Sequence, residues 1–269
     1  MADGRAVGYA EWGDARARPV VALHGGPGSR LMALGCEQLA GELGLRVVCL
    51  ERPGFGLSEF AAHRSLLTWA DDVADATRAL DIDHFFVVGV SAGSPYALAC
   101  AARLPARIRA AGVIAGLAPP PFAADDEFAQ LIARDGDAAE AAARRHFAAM
   151  RADIDASTRA MATRDGPDSD TYRRPDVQER FAATRREAFR QGIEGAVLDL
   201  MLVHQPWGFE LADVSVDTHW WHGSLDPVAP LASVREATAR TRIDLRVYEG
   251  EGHAISFVHG AEILAELVP

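Results

Sequence analysis

The 269-residue sequence contains no lysine, and its 27 permanently charged basic side chains are all arginine. This absence excludes a Schiff-base lysine, a P-loop lysine and the phosphate-binding lysine of protein kinases. Covalent chemistry, if the protein performs any, must come from Ser, Cys, Thr, Asp, Glu, His or Tyr. The 49% of apolar and 24% of charged residues are typical of a globular protein that can bury a sizeable core.

Positive charge is also scarce. The 27 arginines face 38 Asp and Glu residues, which gives a net charge of −11 at pH 7. Nucleic acids and anionic membrane surfaces require clustered positive charge, so we expect no nucleic-acid and no membrane partner. The acidity is evenly spread, with 12 Arg and 16 acids in residues 119–208 and 15 Arg and 22 acids elsewhere. We expect a small-molecule substrate and a monomer or homodimer.

Cysteines and membrane-length apolar segments are few. Cys36, Cys49 and Cys100 form no metal-type or C-x-x-C spacing, which indicates free, mostly buried thiols in a reducing compartment. Residues 85–102 carry no charge, but a turn sequence in their centre predicts a buried strand, a sharp turn and a buried helix. The amino terminus has early acids and no apolar core, so we expect no signal peptide and a cytoplasmic protein.

Short apolar runs alternate with helical patterns along most of the chain, which is typical of an α/β fold with a mostly parallel sheet and helices on both faces. Strands are predicted at 7–12, 20–23, 46–50, 85–88, 108–114, 216–222 and 245–248, and helices at 31–43, 69–80, 94–104, 231–240 and 261–267. Residues 119–208 instead predict three to five helices, with a loop at 164–175. We therefore expect a core of residues 1–118 and 209–269, and a helical cap of residues 119–208 inserted between two core strands.

The segment from Gly89 to Gly93 matches the pattern G-x-S-x-G. This pattern is typical of a nucleophile elbow, in which a serine, here Ser91, occupies a tight turn between a strand and a helix. The two glycines stand where the strand and the helix approach too closely for side chains. A predicted strand before Ser91 and a predicted helix after it favour this interpretation.

A serine hydroxyl becomes an effective nucleophile when a base lies within hydrogen-bond reach and a carboxylate orients that base. Asp226 follows the predicted strand 216–222, and His253 follows the predicted strand 245–248. An open parallel sheet gathers its site at the carboxyl ends of its strands, where both residues stand. The chain order Ser91, Asp226, His253 is the order expected for this type of elbow.

Other acids fit the same role less well. Residues 110–124 follow the helix after the elbow and contain no carboxylate, which removes one alternative position. Asp217 stands near the start of its strand and therefore at the opposite edge of the sheet. Glu249 and Glu251 share the histidine loop, where we interpret them as solvated surface charges.

Attack on a carbonyl carbon places negative charge on the carbonyl oxygen, and two backbone N–H donors are needed to stabilise it. The residue after the nucleophile, Ala92, supplies one. Gly25, Gly26 or Gly28 supplies the other, since Pro27 has no N–H, and we favour Gly26. A glycine-rich loop that opens a helix can also bind phosphate, but the chain has neither a lysine nor a G-x-G-x-x-G pattern to support that alternative.

Together these segments resemble the α/β-hydrolase family, including its esterase-like and proline-iminopeptidase-like members. The motifs that carry the resemblance are HGGPGS at 24–29, ERPGFGLS at 51–58, GVSAGSPYALACAARLP at 89–105, HGSLDPVAP at 222–230 and GEGH at 250–253. The resemblance implies a Ser91 nucleophile, a His253 base and an orienting Asp226. It also implies an oxyanion hole of Gly26 and Ala92, and no cofactor or metal.

Departures from individual subfamilies narrow the function. Dehalogenases and epoxide hydrolases of this fold carry Asp at the elbow, where this chain has Ser91, so a halide or an epoxide is not the expected substrate. Proline iminopeptidases share HGGPG but usually carry Trp after the nucleophile, where this chain has Ala92. The leading hypothesis is a carboxylesterase-like serine hydrolase acting on a small ester. The alternatives are a proline-iminopeptidase-like aminopeptidase and a low-turnover ligand receptor on the same fold.

Overall fold

A computed structural model describes residues 1–123 and 126–269. Seven strands form one sheet in the order β1-β3-β2-β4-β5-β6-β7. Their bounds are β1 (Tyr9–Gly13), β2 (Arg18–Leu23), β3 (Leu45–Leu50), β4 (Phe85–Val90), β5 (Ile108–Ile114), β6 (Thr218–Gly223) and β7 (Asp244–Tyr248). β1 pairs antiparallel with β3, and all other pairs are parallel. The structure confirms the mostly parallel sheet, and every strand boundary lies within two residues of its prediction.

Helices cover both faces of this sheet. The helices outside residues 119–208 are α1 (Glu37–Glu42), α2 (Leu66–Ala79), α3 (Ser94–Arg103), α10 (Leu231–Thr238), α11 (Ile255–Val258) and α12 (Gly260–Leu267). α2, α3 and α10 bury their apolar side chains against one face of the sheet, and α1 and α12 bury theirs against the other. Successive side chains of a strand point to opposite faces of the sheet. Val21 and Leu23 of β2 therefore face α2, α3 and α10, while Val20 and Ala22 face α1 and α12.

The uncharged run of residues 85–102 forms β4 and α3, as predicted. No described helix is both long and apolar enough to cross a membrane. The three cysteines are free, and Cys49 and Cys100 are buried while Cys36 is half-buried. The prediction of free, mostly buried thiols is therefore confirmed.

The predicted single helix over 31–43 is wrong. The chain forms a short 3-10 turn at Arg30–Ala33 and then the separate helix α1. Gly35 lies between them with a φ of +83°, in the left-handed region that a continuous helix does not use. The apolar spacing of this stretch resembles one helix because both pieces face the same side of the sheet.

The helical segment, residues 119–208, connects β5 to β6. Its described part contains no strand and six helices, one more than the three to five predicted. They are α4 (Glu127–Arg134), α5 (Gly136–Ala152), α6 (Ile154–Ala162), α7 (Ser169–Arg173), α8 (Pro175–Ala188) and α9 (Glu194–Val203). Asp135 and Asp153 start α5 and α6 by accepting hydrogen bonds from backbone N–H groups, which divides the region into more helices than expected.

α7 occupies part of the predicted loop 164–175, so that prediction is partly wrong.

A buried ionic cluster joins α9 of the helical segment to α3 and to the loop between β3 and α2. The Asp199 carboxylate accepts hydrogen bonds from Arg52 at 2.8 and 3.0 Å, from Arg64 at 2.9 Å and from the Tyr96 hydroxyl at 2.6 Å. All four residues are buried. Burial alone would raise the pKa of Asp199, but the two guanidinium groups outweigh it and hold that pKa far below its ordinary value.

Replacing Asp199 by Ala would leave two buried guanidinium groups without their carboxylate. We expect Asp199→Ala to lower the free energy of unfolding by about 3–5 kcal/mol. Urea denaturation measures this loss. The control is Asp71→Ala, because Asp71 pairs with Arg103 at the surface with both side chains about half exposed, and its loss should be below about 1 kcal/mol. Equal losses in the two variants would contradict a stabilising role for the cluster.

Candidate active site

Ser91 stands at a sharp turn between β4 and α3, with a φ of +52°. A Cβ atom at Gly89 would lie 2.4 Å from the carbonyl oxygen of Gly93, and a Cβ atom at Gly93 would lie 2.2 Å from that of Leu23. Any larger residue at either position would collide with backbone, so the sequence expectation for the two glycines is confirmed. A non-glycine residue in the left-handed region is strained, and such strain concentrates at functional turns.

The structure brings Ser91, His253 and Asp226 into one hydrogen-bonded chain. Ser91 Oγ lies 2.9 Å from His253 Nε2, and His253 Nδ1 lies 2.8 Å from Asp226 Oδ2. The carboxylate can only accept, so Nδ1 carries the proton and the Nε2 lone pair faces the serine hydroxyl. The residues follow β4, β7 and β6, so they meet at the carboxyl edge of the sheet.

Asp226 is fixed in its place by the backbone. Its Oδ1 atom accepts hydrogen bonds from the N–H groups of Val228 at 2.8 Å and Ala229 at 2.9 Å. Burial favours the neutral carboxyl, but the hydrogen bonds from His253 and from the Ala229 backbone outweigh burial and hold the pKa of Asp226 below its ordinary value. Asp226 is therefore ionised at neutral pH, and its second oxygen is directed at the imidazole.

The three other acids considered from the sequence do not join this chain of hydrogen bonds, and Glu249 is exposed to solvent. Asp217 directly precedes β6, at the opposite edge of the sheet, where its carboxylate lies 3.4 Å from His219. The carboxylate of Glu251 lies 3.4 Å from His259 and not beside His253. These positions agree with their exclusion from the predicted site.

The glycine-rich loop 24–28 packs against the elbow. A Cβ atom at Gly26 would lie 3.0 Å from the Cβ atom of Ala92, and one at Gly25 would lie 3.6 Å from that of Ser91. The Gly25 carbonyl oxygen accepts hydrogen bonds from His24 Nδ1 at 2.8 Å and from Arg52 Nη2 at 3.1 Å. In a trans peptide the C=O and N–H groups point in opposite directions, so these two donors fix the direction of the Gly26 N–H.

Sequence reasoning missed several residues that hold this arrangement. The buried carboxylate of Asp168, just before α7, accepts hydrogen bonds from the backbone N–H groups of His253 at 2.8 Å and Ala254 at 2.9 Å. It therefore fixes the backbone of the histidine loop. Arg52 anchors the glycine-rich loop while it is itself held by Asp199. No local pattern signals these contacts, because 85 and 147 residues separate the partners in sequence.

A model of the α/β hydrolase fold family matches residues 18–260. The chain belongs to the α/β-hydrolase fold family. Similar solved structures include a thermophilic esterase from Thermogutta terrifontis, with 21% identity, a TM-score of 0.72 and coverage of 98% of this chain and 95% of that one. An esterase from Exiguobacterium antarcticum has 18% identity, a TM-score of 0.71 and coverage of 99% and 96%. A hydrolase from Pseudomonas aeruginosa has 19% identity, a TM-score of 0.71 and coverage of 100% and 94%.

At these identities the likeness to the solved structures is one of fold. No curated protein sequence matches the chain. The family match confirms the resemblance inferred from the motifs and the expected fold class, and it makes the protein a hydrolase by family.

In this α/β-hydrolase a cavity of about 960 Å³ opens beside Ser91 and His253. This volume is within the range of small-molecule sites. The sheet wall is apolar and is formed by Val20, Ala22, Val47, Val88, Val90 and Ile114. The opposite wall comes from α6 to α8 of the helical segment and carries Arg164, Asp165, Asp168, Arg174, Asp176, Arg180 and Arg185.

Within residues 1–123 and 126–269, no group of three His, Cys, Asp or Glu side chains is placed to hold a metal ion.

Proposed function

We propose that the protein is a cofactor-free serine hydrolase that cleaves a small carboxylic ester through an acyl-enzyme. The observation that carries this proposal is the hydrogen-bonded chain from Ser91 Oγ through the His253 imidazole to the Asp226 carboxylate. In the first step Ser91 Oγ attacks the ester carbonyl while His253 Nε2 takes the hydroxyl proton. Asp226 holds the imidazole in the required tautomer and stabilises the imidazolium that forms.

The alcohol then leaves with the proton from His253, and the acyl group remains bound to Ser91 Oγ. In the second step His253 removes a proton from water, and the resulting hydroxide attacks the acyl carbon. The Ser91–acyl bond breaks, and His253 returns the proton to the serine oxygen. The free acid and the unmodified enzyme are the products.

The backbone N–H groups of Gly26 and Ala92 are proposed to stabilise the negative oxygen of both tetrahedral intermediates. The packing of Gly26 against Ala92 supports this pairing. Arg52 acts as a positioning residue, since it anchors the carbonyl of the peptide unit whose N–H belongs to Gly26. The guanidinium charge also draws electrons from that carbonyl, which strengthens the N–H as a donor.

We further propose that residues 119–208 form a cap that encloses the substrate over the core of residues 1–118 and 209–269. The charges in the cavity favour an ester over the peptide amine of a proline iminopeptidase. That amine needs free carboxylates, but both oxygens of Asp168 accept backbone N–H groups and Asp176 pairs with Arg174 at 2.7 Å. Asp165 is fully exposed to solvent.

The nucleophile is tested with Ser91→Ala. We expect kcat/KM on short 4-nitrophenyl esters to fall by at least about 10⁴-fold, because the covalent step is lost. A fluorophosphonate probe should label the wild-type protein once, on the peptide that contains Ser91, as read by mass spectrometry.

The control is Ser256→Ala, a serine of the same cavity whose hydroxyl has no hydrogen-bond partner in the described parts of the chain. This variant should keep the label. Wild-type turnover by Ser91→Ala, or labelling at a different residue, would overturn the proposed function.

The positioning role of Arg52 is tested by comparing Arg52→Met with Arg64→Met. Each variant removes one guanidinium from Asp199, but only Arg52 contacts the Gly25 carbonyl. We expect Arg52→Met to lower kcat by about 10- to 100-fold and Arg64→Met to lower it by less than about threefold. Steady-state kinetics separate kcat from KM, and urea denaturation reports the shared loss of stability. Equal decreases in kcat would contradict the positioning role.

A further inference from the structure

Arg185 of α8 is a buried cation that lines the cavity beside Ser91. The residue is 7% exposed. Its Nη1 atom donates to the Thr158 hydroxyl at 3.1 Å, its Nη2 atom lies 2.8 Å from the Met161 sulfur, and its Nε atom has no partner in the described structure. No carboxylate among residues 1–123 and 126–269 pairs with it.

Burying an unpaired charge is costly, and buried arginines are normally matched by a carboxylate. The chain shows the usual solution at Arg52 and Arg64, which share Asp199. At Arg185 the neighbours are a hydroxyl, a thioether and the Phe181 ring, whose centre lies 5.3 Å from the guanidinium carbon. Burial, followed by the nearby charge of Arg164, lowers the pKa of Arg185 to about 10, so the group remains a cation at neutral pH.

Two more arginines of the cavity wall lack an acidic partner in the described structure. Arg164 has no ion pair, and Arg180 stands over the ring of Phe257 at 5.5 Å without one. The acids of the same wall are occupied or directed outward, as described for Asp168, Asp176 and Asp165. The cavity therefore presents an excess of positive charge, although the helical segment as a whole contains more acids than arginines.

We propose that Arg185, supported by Arg164 and Arg180, binds a carboxylate group carried by the ester substrate. This inference rests on the proposed ester hydrolysis and specifies its substrate class. A guanidinium has five N–H donors, of which Arg185 uses two on Thr158 and Met161, so further donors on its Nη atoms are free for an anion in the cavity. The substrate carboxylate takes the place that Asp199 occupies for Arg52 and Arg64.

The test uses two pairs of esters that differ in one charge. Mono(4-nitrophenyl) glutarate and 4-nitrophenyl pentanoate place a terminal carboxylate or a methyl group on the acyl side. 4-Acetoxybenzoate and 4-methylphenyl acetate make the same comparison on the alcohol side. The measured quantity is the charge preference, the ratio of kcat/KM for the anionic ester to that for the neutral one.

We expect Arg185→Met to reduce the wild-type charge preference by about 10- to 100-fold for at least one of the two pairs of esters. This is the effect expected from losing one hydrogen-bonded ion pair. Arg185→Lys should restore part of it. The control is Arg186→Met, since Arg186 is the neighbouring residue on α8, is exposed, pairs with Asp155 and lies outside the cavity. This control changes the net charge equally and should leave the preference within about twofold. Equal preferences in wild type, Arg185→Met and Arg186→Met would overturn the proposal.

A second measurement separates this proposal from the proposed function. Isothermal titration of the wild-type protein with glutarate and with benzoate reads anion binding without turnover. We expect binding of at least one anion to weaken about tenfold in Arg185→Met and to remain unchanged in Arg186→Met. If no ester is hydrolysed but this difference is present, ester hydrolysis fails and the carboxylate site stands. If esters are hydrolysed but their charge preference does not respond to Arg185, the carboxylate site fails as a substrate site and ester hydrolysis stands. If no ester is hydrolysed and anion binding does not respond to Arg185, both proposals fail.

Discussion

A single carboxylate, that of Asp199, forms ion pairs with two guanidinium groups in the interior of the protein. Through Arg52 the same carboxylate acts on the glycine-rich loop, because Arg52 contacts the carbonyl oxygens of His24 and Gly25. Asp199 belongs to the helical segment, whereas both arginines lie between β3 and α2. The position of the helical segment and the geometry of the loop beside Ser91 therefore depend on one buried ionic cluster.

The histidine loop is tied to the helical segment in a similar way. The Asp168 carboxylate accepts the backbone N–H groups of His253 and Ala254, so a residue of the helical segment holds the base of the proposed triad. The proposed role of the helical segment as a cap concerns substrate specificity. In this protein it also supplies the buried carboxylates that position two loops of the site. Changes in the helical segment are thus expected to affect catalysis as well as substrate choice.

Much of the fold and of the candidate site follows from the sequence because the signals are local. Alternating apolar runs predict every strand, and the requirement for glycine beside the elbow selects Ser91. The parallel sheet then brings Asp226 and His253 to the same edge. The contacts of Arg52, Asp168 and Asp199 join distant parts of the chain and depend on tertiary packing, so spacing cannot predict them. The break at Gly35 and the additional helices of the helical segment were not predicted for a different reason. The apolar pattern of the sequence continues across the points where one helix ends and the next begins.

The cavity shows why net charge is a poor guide to a binding site. The whole chain carries a charge of −11, yet the wall of the cavity holds arginines that lack acidic partners in the described structure. What matters is which charges are buried and unpaired, because water and neighbouring charges screen the rest. The proposed substrate class is therefore inferred from a few buried contacts and not from the amino-acid composition.

The acyl-enzyme is tested most directly by partitioning between water and methanol. Two acetates with different leaving groups, 4-nitrophenyl acetate and phenyl acetate, are hydrolysed in dilute methanol, and the ratio of methyl acetate to acetate is measured. A common intermediate on Ser91 predicts the same ratio from both esters, because the leaving group has departed before methanol and water compete. Ratios that differ between the two esters would show that water attacks the ester directly, which would contradict nucleophilic catalysis by Ser91.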